Sequence, residues 1–225
     1  IKSFIMSLLI IALAPIVIIL VYVYIRDKYD KEPWGLLLKT FFSGALITIP
    51  ILILETFLSG LGTGLQGLWH AAYRAFVVAA LSEELFKFLV IYFLIRKSRH
   101  FNERFDGIVY AVFVSLGFAA VENILYVTNG GLNVGYLRAI TAVPAHAFFG
   151  VAMGFYFGKY RFVTRPKYIY YALLIPILLH GIYDFILMSQ KYYLLVLFIP
   201  FLIYLWINGF KKMKYLSERS IFKKD

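Results

Sequence analysis

The chain has 225 residues, of which 62% are hydrophobic, 19% are aromatic and only 16% are charged. A soluble domain of this size carries about a quarter charged residues, so the composition excludes an ordinary soluble enzyme and predicts a polytopic membrane protein. No cysteine is present, which excludes disulfides, thiol nucleophiles and thiolate metal ligands. The net charge of +11 would suit a nucleic-acid partner unless the basic residues follow a membrane topology.

Seven runs of mainly apolar residues are each about as long as a bilayer is thick. In chain order they cover 4–25, 36–58, 69–95, 106–127, 137–157, 168–188 and 192–210. We expect each run to form a transmembrane helix, and the first is taken as a retained span because it lacks a small-residue cleavage site. No repeat or soluble insertion interrupts the series, so the sequence predicts one all-α membrane domain over 1–225.

The basic residues alternate in density between successive connections. Eighteen of the 23 Lys and Arg residues lie after the first, third, fifth and seventh runs, at 26–39, 96–104, 159–167 and 211–224. The opposite connections hold only Lys2, Arg138 and Lys191. The positive-inside rule then places the N-terminus outside and the C-terminus inside the cell membrane, and no nucleic-acid partner is needed to explain the charge.

Ionisable residues inside the predicted spans are the main functional signal, because a charge at mid-bilayer costs about 2.5–3.5 kcal/mol. Glu83 and Glu84 precede Lys87 by four and three residues, which places all three on one helical face. His180 and Asp184 are likewise four residues apart. With Glu122 and His146 on two further helices, and a rise of about 1.5 Å per residue, these groups fall in the middle and outer half of the bilayer. Convergence from four helices predicts a functional site.

Two histidines and several carboxylates suit two chemistries. Imidazole and carboxylate can bind a catalytic zinc ion that keeps a position open for water, with a further carboxylate acting as general base. Alternatively, a carboxylate activates water directly while the histidines stabilise the oxyanion. In either case Lys87 would keep a glutamate ionised, and Asp184 would orient His180. The His-Glu-x-x-His and Gly-x-Ser-x-Gly motifs of common hydrolases are absent.

Four short motifs in this order resemble the PrsW family of intramembrane proteases, relatives of the CAAX-processing and bacteriocin-processing membrane enzymes. They are Glu-Glu-x-x-Lys at 83–87, Phe-x-x-x-Glu at 118–122, Ala-His-Ala-Phe-Phe-Gly at 145–150 and His-x-x-x-Asp at 180–184. The segments Asp-Lys-Tyr-Asp-Lys-Glu-Pro at 27–33 and Phe-Asp-Gly-Ile-Val-Tyr at 105–110 are also similar to the family. The motif core spans about 69–190.

The resemblance implies a hydrolase of the bacterial cell membrane that cuts a single-pass membrane protein, such as an anti-sigma factor, near its extracytoplasmic side as the first step of regulated proteolysis. The family is treated as metallo-type, although some relatives are argued to be metal-free glutamate peptidases. The wider CAAX-protease group usually has His where this chain has Glu122.

We therefore expect an intramembrane peptidase whose catalytic residues are Glu83, Glu84, Glu122, His146 and His180, supported by Lys87, Asn123 and Asp184. Zinc is the expected cofactor, with His146, His180 and Glu122 as ligands. The alternatives are a metal-free glutamate peptidase, a non-catalytic scaffold and an ion-coupled transporter, which would also need buried acids and histidines.

Some charged residues have no assigned chemistry in this scheme. Glu55 and Arg74 are expected to form a structural ion pair. Asp27, Asp30 and Glu32 are expected to cap a loop or to balance their basic neighbours.

Overall fold

The protein is described by a computed structural model that covers residues 2–163 and 165–223, with side chains from residue 6 onward. Lys224 and the side chain of Lys2, both counted among the basic residues above, lie outside this description. Within it the chain is helical and contains no strand. The helices are α1 Lys2–Arg26, α2 Trp34–Leu46, α3 Thr48–Leu61, α4 Gly67–Tyr73, α5 Ser82–Leu94, α6 Arg104–Ile140, α7 Ala142–Val163, α8 Lys167–Met188, α9 Tyr192–Leu195 and α10 Phe198–Ser217, with a π-helical segment Arg74–Leu81 joining α4 to α5.

Five helical stretches are long and apolar enough to cross a membrane. They are Met6–Arg26, Trp34–Leu61, Arg104–Val163, Lys167–Met188 and Tyr192–Ser217. This confirms an all-α membrane protein but does not support the predicted count of seven spans. Two predicted spans, 106–127 and 137–157, fall within the single stretch of 60 residues, and the predicted span 69–95 is helical but is absent from the five.

The two discrepancies have identifiable physical causes. The stretch Arg104–Val163 is 60 residues long, about 90 Å at the rise of an α-helix, so it cannot be one straight crossing. It is broken at Gly131, whose φ of 76° is outside the helical region. The helical segment from α4 through α5 has the length of a span, but it carries Arg74, Glu83, Glu84 and Lys87, which lower its apolar character.

Helices α6 and α7 form the centre of the fold. Every residue of 105–120 in α6 and of 142–155 in α7 is buried, as expected for helices that are apolar on all sides and surrounded by others. Their backbones touch where both sequences have glycine, since a Cβ on Gly107 would lie 2.6 Å from the carbonyl oxygen of Gly154. Small residues allow this close approach between membrane helices, and it brings the side chains of α7 against α6.

The peripheral helices present large apolar side chains outward. Ile18 of α1, Ile53 of α3 and Ile203 of α10 are each more than half exposed. Continuous exposed apolar surface on several helices is costly in water and marks contact with lipid. The polar side chains lie inside this lipid-facing surface, between α6 and α7 and the helices that pack on them.

Candidate active site

Two adjacent glutamates and a lysine at the start of α5 form one wall of the site. The Nζ of Lys87 donates to Oε2 of Glu83 at 2.9 Å and to Oε1 of Glu84 at 2.8 Å. All three side chains are buried, and Glu84 is not exposed at all. The glutamates directly follow the π-helical segment, a distortion that often accompanies functional sites because it shifts the faces that later residues present. The predicted i,i+3 and i,i+4 arrangement is confirmed.

His180 of α8 lies between two carboxylates. Its Nδ1 is 3.0 Å from Oε1 of Glu84, and its Nε2 is 3.3 Å from Oδ2 of Asp184. The ring also stacks on Phe149, with 4.8 Å between the ring centroids. A histidine held at both nitrogens and on one face has a fixed orientation, as expected for a group that must point at a reacting atom or a ligand.

His146 of α7 is held in the same manner by Glu122 of α6. Its Nε2 is 2.9 Å from Oε2 of Glu122, and its Nδ1 is 3.4 Å from Nζ of Lys87. The hydroxyl of Ser115 donates to the backbone carbonyl of His146 at 2.7 Å, which fixes the α7 backbone at this position. The Nδ1 side of the ring therefore faces the glutamates, and the Nε2 side faces α6.

Arg138 extends the network towards α1. Its guanidinium donates to Glu122 at 2.8 Å and to the side-chain oxygen of Asn123 at 2.6 Å. The amide of Asn123 donates in turn to the backbone carbonyl of Ala12 at 2.8 Å. Arg138 was counted above only as a basic residue of an outer connection, and its position beyond the Gly131 break hid its contact with Glu122 from spacing arguments.

Four residues from three helices bring their donor atoms within 4.8 Å of one another: Glu83, Glu84, His146 and His180. We call this set the central cluster. Glu122 is outside it, because it contacts the Nε2 side of His146. The predicted ligand set of His146, His180 and Glu122 thus differs from the grouping that the structure gives, in which Glu83 and Glu84 accompany the two histidines.

The site has a dry side and a polar side. Phe118 covers Lys87, with the Nζ 4.3 Å from the ring centroid, and apolar walls of this kind strengthen electrostatic interactions. Side-chain exposure rises to between 14% and 19% at Arg138, Asp184 and Glu122. These three residues are therefore the most exposed members of the network.

One expectation about the surrounding charges is wrong. Among the described residues Arg74 forms no ion pair with Glu55, and its guanidinium lies 3.5 Å from the hydroxyl of Ser59. All eight residues assigned to the site, by contrast, lie in one connected network of hydrogen bonds and ion pairs.

Helices that enclose paired glutamates and two oriented histidines, with lipid-facing surfaces around them, define a polytopic membrane protein with a buried hydrolase-type site. The family model described as PrsW family intramembrane metalloprotease matches residues 32–207. The chain belongs to the PrsW family and is an intramembrane protease of the bacterial membrane. No solved structure matches it significantly.

Curated relatives carry the same family name and cover almost the whole chain. Protease PrsW of Clostridioides difficile (strain 630) is 40% identical over 95% of this chain and 93% of its own length. Protease PrsW of Oceanobacillus iheyensis is 38% identical over 96% and 99%, and that of Bacillus subtilis (strain 168) is 38% identical over 90% and 92%. The matched regions therefore span the part of the chain that holds the site.

The charge of Lys87 gives a direct test of this network. Replacing it by methionine (Lys87→Met) leaves two buried glutamates without their shared cation, and losing one partner of a buried ion pair costs about 3–5 kcal/mol. We expect a clear fall in the melting temperature of the detergent-purified protein. Adding Glu84→Gln to Lys87→Met should recover part of the loss, because it removes one of the uncompensated charges.

Lys97→Met is the matched control, since Lys97 is exposed in the connection after α5, and it should leave the melting temperature unchanged. A double variant whose loss equals the sum of the two single losses would show that Glu84 and Lys87 do not interact.

Proposed function

We propose that this protease cuts a single-pass membrane protein, of the anti-sigma-factor type, near its extracytoplasmic side as the first step of regulated proteolysis. The observation that carries the proposal is the convergence of Glu83, Glu84, His146 and His180 from three helices into one buried cluster. Paired acids and oriented histidines are what peptide hydrolysis needs to activate water and to stabilise an oxyanion.

Glu83 is the carboxylate best placed to activate water. It keeps 5% exposure where Glu84 has none, and its Oε2 lies 4.0 Å from Nδ1 of His146 and 3.9 Å from Nδ1 of His180. A water held between these groups would lose its proton to Glu83 as it attacks the peptide carbonyl. Lys87 places its positive charge 2.9 Å from Glu83, and Glu122 and Asp184 hold the two imidazoles in position.

The central cluster also fits a metal ion. Oε2 of Glu84 is buried without a hydrogen-bond partner, while Oε1 of the same carboxylate is held by Lys87 and His180. A buried acceptor with no partner costs about 1–3 kcal/mol, so this oxygen suits a ligand. We propose that His146, His180 and Glu84 hold a zinc ion, in place of the set with Glu122. When bound, zinc would supply a water acidic enough to be deprotonated near neutral pH.

A metal-free glutamate mechanism has one observation in its favour. Both ring nitrogens of His180 face carboxylate oxygens, those of Glu84 and Asp184, an arrangement that satisfies two N–H donors. A doubly protonated His180 would then stabilise the oxyanion through its positive charge, since both of its N–H groups already face carboxylates. Metal content separates this route from the zinc route.

The proposed topology has seven crossings within one domain of residues 1–225, with the motif core at about 69–190. The 60-residue stretch supplies two crossings, one before and one after the Gly131 break. The segment from α4 through α5 supplies a further, more polar crossing. The charge bias supports an outside N-terminus and an inside C-terminus. Glu122, Arg138 and Asp184 then face the outer half of the bilayer, which is why cleavage is proposed near the extracytoplasmic side.

Loss of either glutamate is the first test of the catalytic proposal. The chain would be expressed in Bacillus subtilis lacking its own Protease PrsW, together with a panel of epitope-tagged single-pass anti-sigma factors. We expect a shortened tagged fragment from at least one panel member with the wild type, and at least a hundredfold less with Glu83→Gln or Glu84→Gln, a loss in the range of removing a general base.

The control for the cleavage test is Glu218→Gln, because Glu218 is an exposed acid after α10 and its loss should leave cleavage intact. Full cleavage by Glu83→Gln, Glu84→Gln and the double variant would contradict the proposal. No fragment from any panel member, with wild type and variants equally folded, would contradict the proposed substrate class.

The absence of cysteine makes the topology directly testable. Asn129→Cys should react with a membrane-impermeant maleimide in intact cells, because the Gly131 break is proposed to lie outside. Arg99→Cys should react only after the membrane is opened, and the parent chain should not react at all. Labelling of Arg99→Cys in intact cells would show that the proposed orientation is inverted.

A further inference from the structure

A second group of acidic residues lies far from the central cluster, where the connection after α1 meets the start of α6. Asp27, Glu103 and Asp106 bring carboxylate oxygens within 4.8 Å of one another, and all three are buried. We call them the loop acid cluster. Asp106 and Glu122 are 16 residues apart on α6, about 24 Å at helical rise, so the two clusters are separate sites.

In the part of the chain that the structure describes, the loop acid cluster forms no ion pair, although the charge of Lys31 acts on Asp27 from nearby. No Lys or Arg side chain lies within ion-pair distance of Asp27, Glu103 or Asp106. Lys31 is adjacent, but its Nζ donates to the backbone carbonyls of Tyr24 and Asp27. Of the two roles expected for Asp27, loop capping is confirmed, because its Oδ2 accepts the backbone N–H of Glu32 at 3.3 Å.

Helix capping explains only part of the cluster. Oδ2 of Asp106 accepts the backbone N–H groups of Asn102 and Glu103, both at 2.8 Å, and Glu103 completes a capping box at the start of α6. Capping does not use the second oxygen, Oδ1, of either Asp106 or Asp27. A stabilising role at the helix N-terminus and in the loop thus leaves one buried oxygen of each aspartate without a partner.

Three buried acceptor oxygens at this place have no hydrogen-bond partner: Oδ1 of Asp27, Oδ1 of Asp106 and Oδ1 of Asn102. Asp27 is 1% exposed and Asp106 is fully buried. Burial and the nearby carboxylates raise the pKa of Asp27 to about 7, and burial raises that of Glu32 to about 7 as well. Both shifts come mainly from burial, and neighbouring acids add to them. An unpaired buried charge is among the most costly features of a protein interior.

We propose that the loop acid cluster binds a hard divalent cation, Mg²⁺, Ca²⁺ or Mn²⁺, through Asp27, Glu103, Asp106 and the side-chain oxygen of Asn102. All the donor atoms are oxygens. A site made of carboxylate and amide oxygens favours these hard ions over zinc. The cation links the end of α1 to the start of α6. It thereby stabilises the contact between these two helices. A second contact between α1 and α6, the hydrogen bond from Asn123 to the carbonyl of Ala12, lies at the level of the active site.

The test uses the full chain in detergent after chelator treatment and removal of the chelator. Mn²⁺ binding is measured by electron paramagnetic resonance, and melting temperature is measured with and without Mg²⁺, Ca²⁺ or Mn²⁺. We expect one saturable Mn²⁺ site that survives in His146→Ala, and a higher melting temperature with at least one of the three ions. Asp27→Asn and Asp106→Asn should weaken Mn²⁺ binding at least tenfold.

Glu218→Gln is the matched control, since it removes one exposed acidic charge and should bind Mn²⁺ as the wild type does. Equal Mn²⁺ binding by Asp27→Asn and the wild type would overturn the proposal. So would a wild type without saturable binding and without any ion-dependent stabilisation, a readout that holds even if the variants fail to fold. Variants that melt higher than the wild type and ignore all three ions would show that protons satisfy the cluster.

Discussion

The balance of charge inside the membrane constrains the rest of this structure. Four carboxylates, those of Glu83, Glu84, Glu122 and Asp184, are connected to only two permanent cations, Lys87 and Arg138. Two negative charges remain, and buried charges without partners are strongly destabilising. The two histidines join all four carboxylates, so either a divalent cation or bound protons must neutralise the remaining negative charge.

The fold is arranged so that this network can exist away from lipid. Glycines in α6 and α7 let the two central helices touch, which places His146 next to Glu122 and against the start of α5. The π-helical segment before Ser82 sets the faces on which Glu83, Glu84 and Lys87 lie. Aromatic side chains then close the cluster on the dry side. Each of these packing features is explained by the need to hold the buried charges together and away from lipid.

Much of the site was predictable because its contacts follow helical periodicity. Glu83, Glu84 and Lys87, and likewise His180 and Asp184, are neighbours within one helix, so spacing alone pairs them. The contacts of Glu122 with Arg138 and His146 cross a helix break or join different helices, and no periodicity encodes them. For the same reason the sequence could not show on which side of His146 the Glu122 carboxylate lies. The burial of Asp27 was missed because loop residues rich in charge are usually exposed.

The number of membrane crossings is also only partly predictable from the sequence. Apolar runs identify where helices form, and every predicted span is helical in the residues described. Whether a helix is apolar enough to be recognised as a span depends on the charges it carries, and α4 through α5 carries Glu83, Glu84 and Lys87. A segment that holds the active site of a membrane enzyme is therefore the segment that hydropathy recognises least well.

The most direct test of the account is the metal content of the detergent-purified protein by elemental analysis, with wild type and His146→Ala compared in the same preparation series. We predict close to one zinc ion per chain in the wild type and its loss in His146→Ala, with both proteins folded. A folded and proteolytically active wild type that contains no zinc or other transition metal would contradict the zinc proposal, and would show that bound protons neutralise the network.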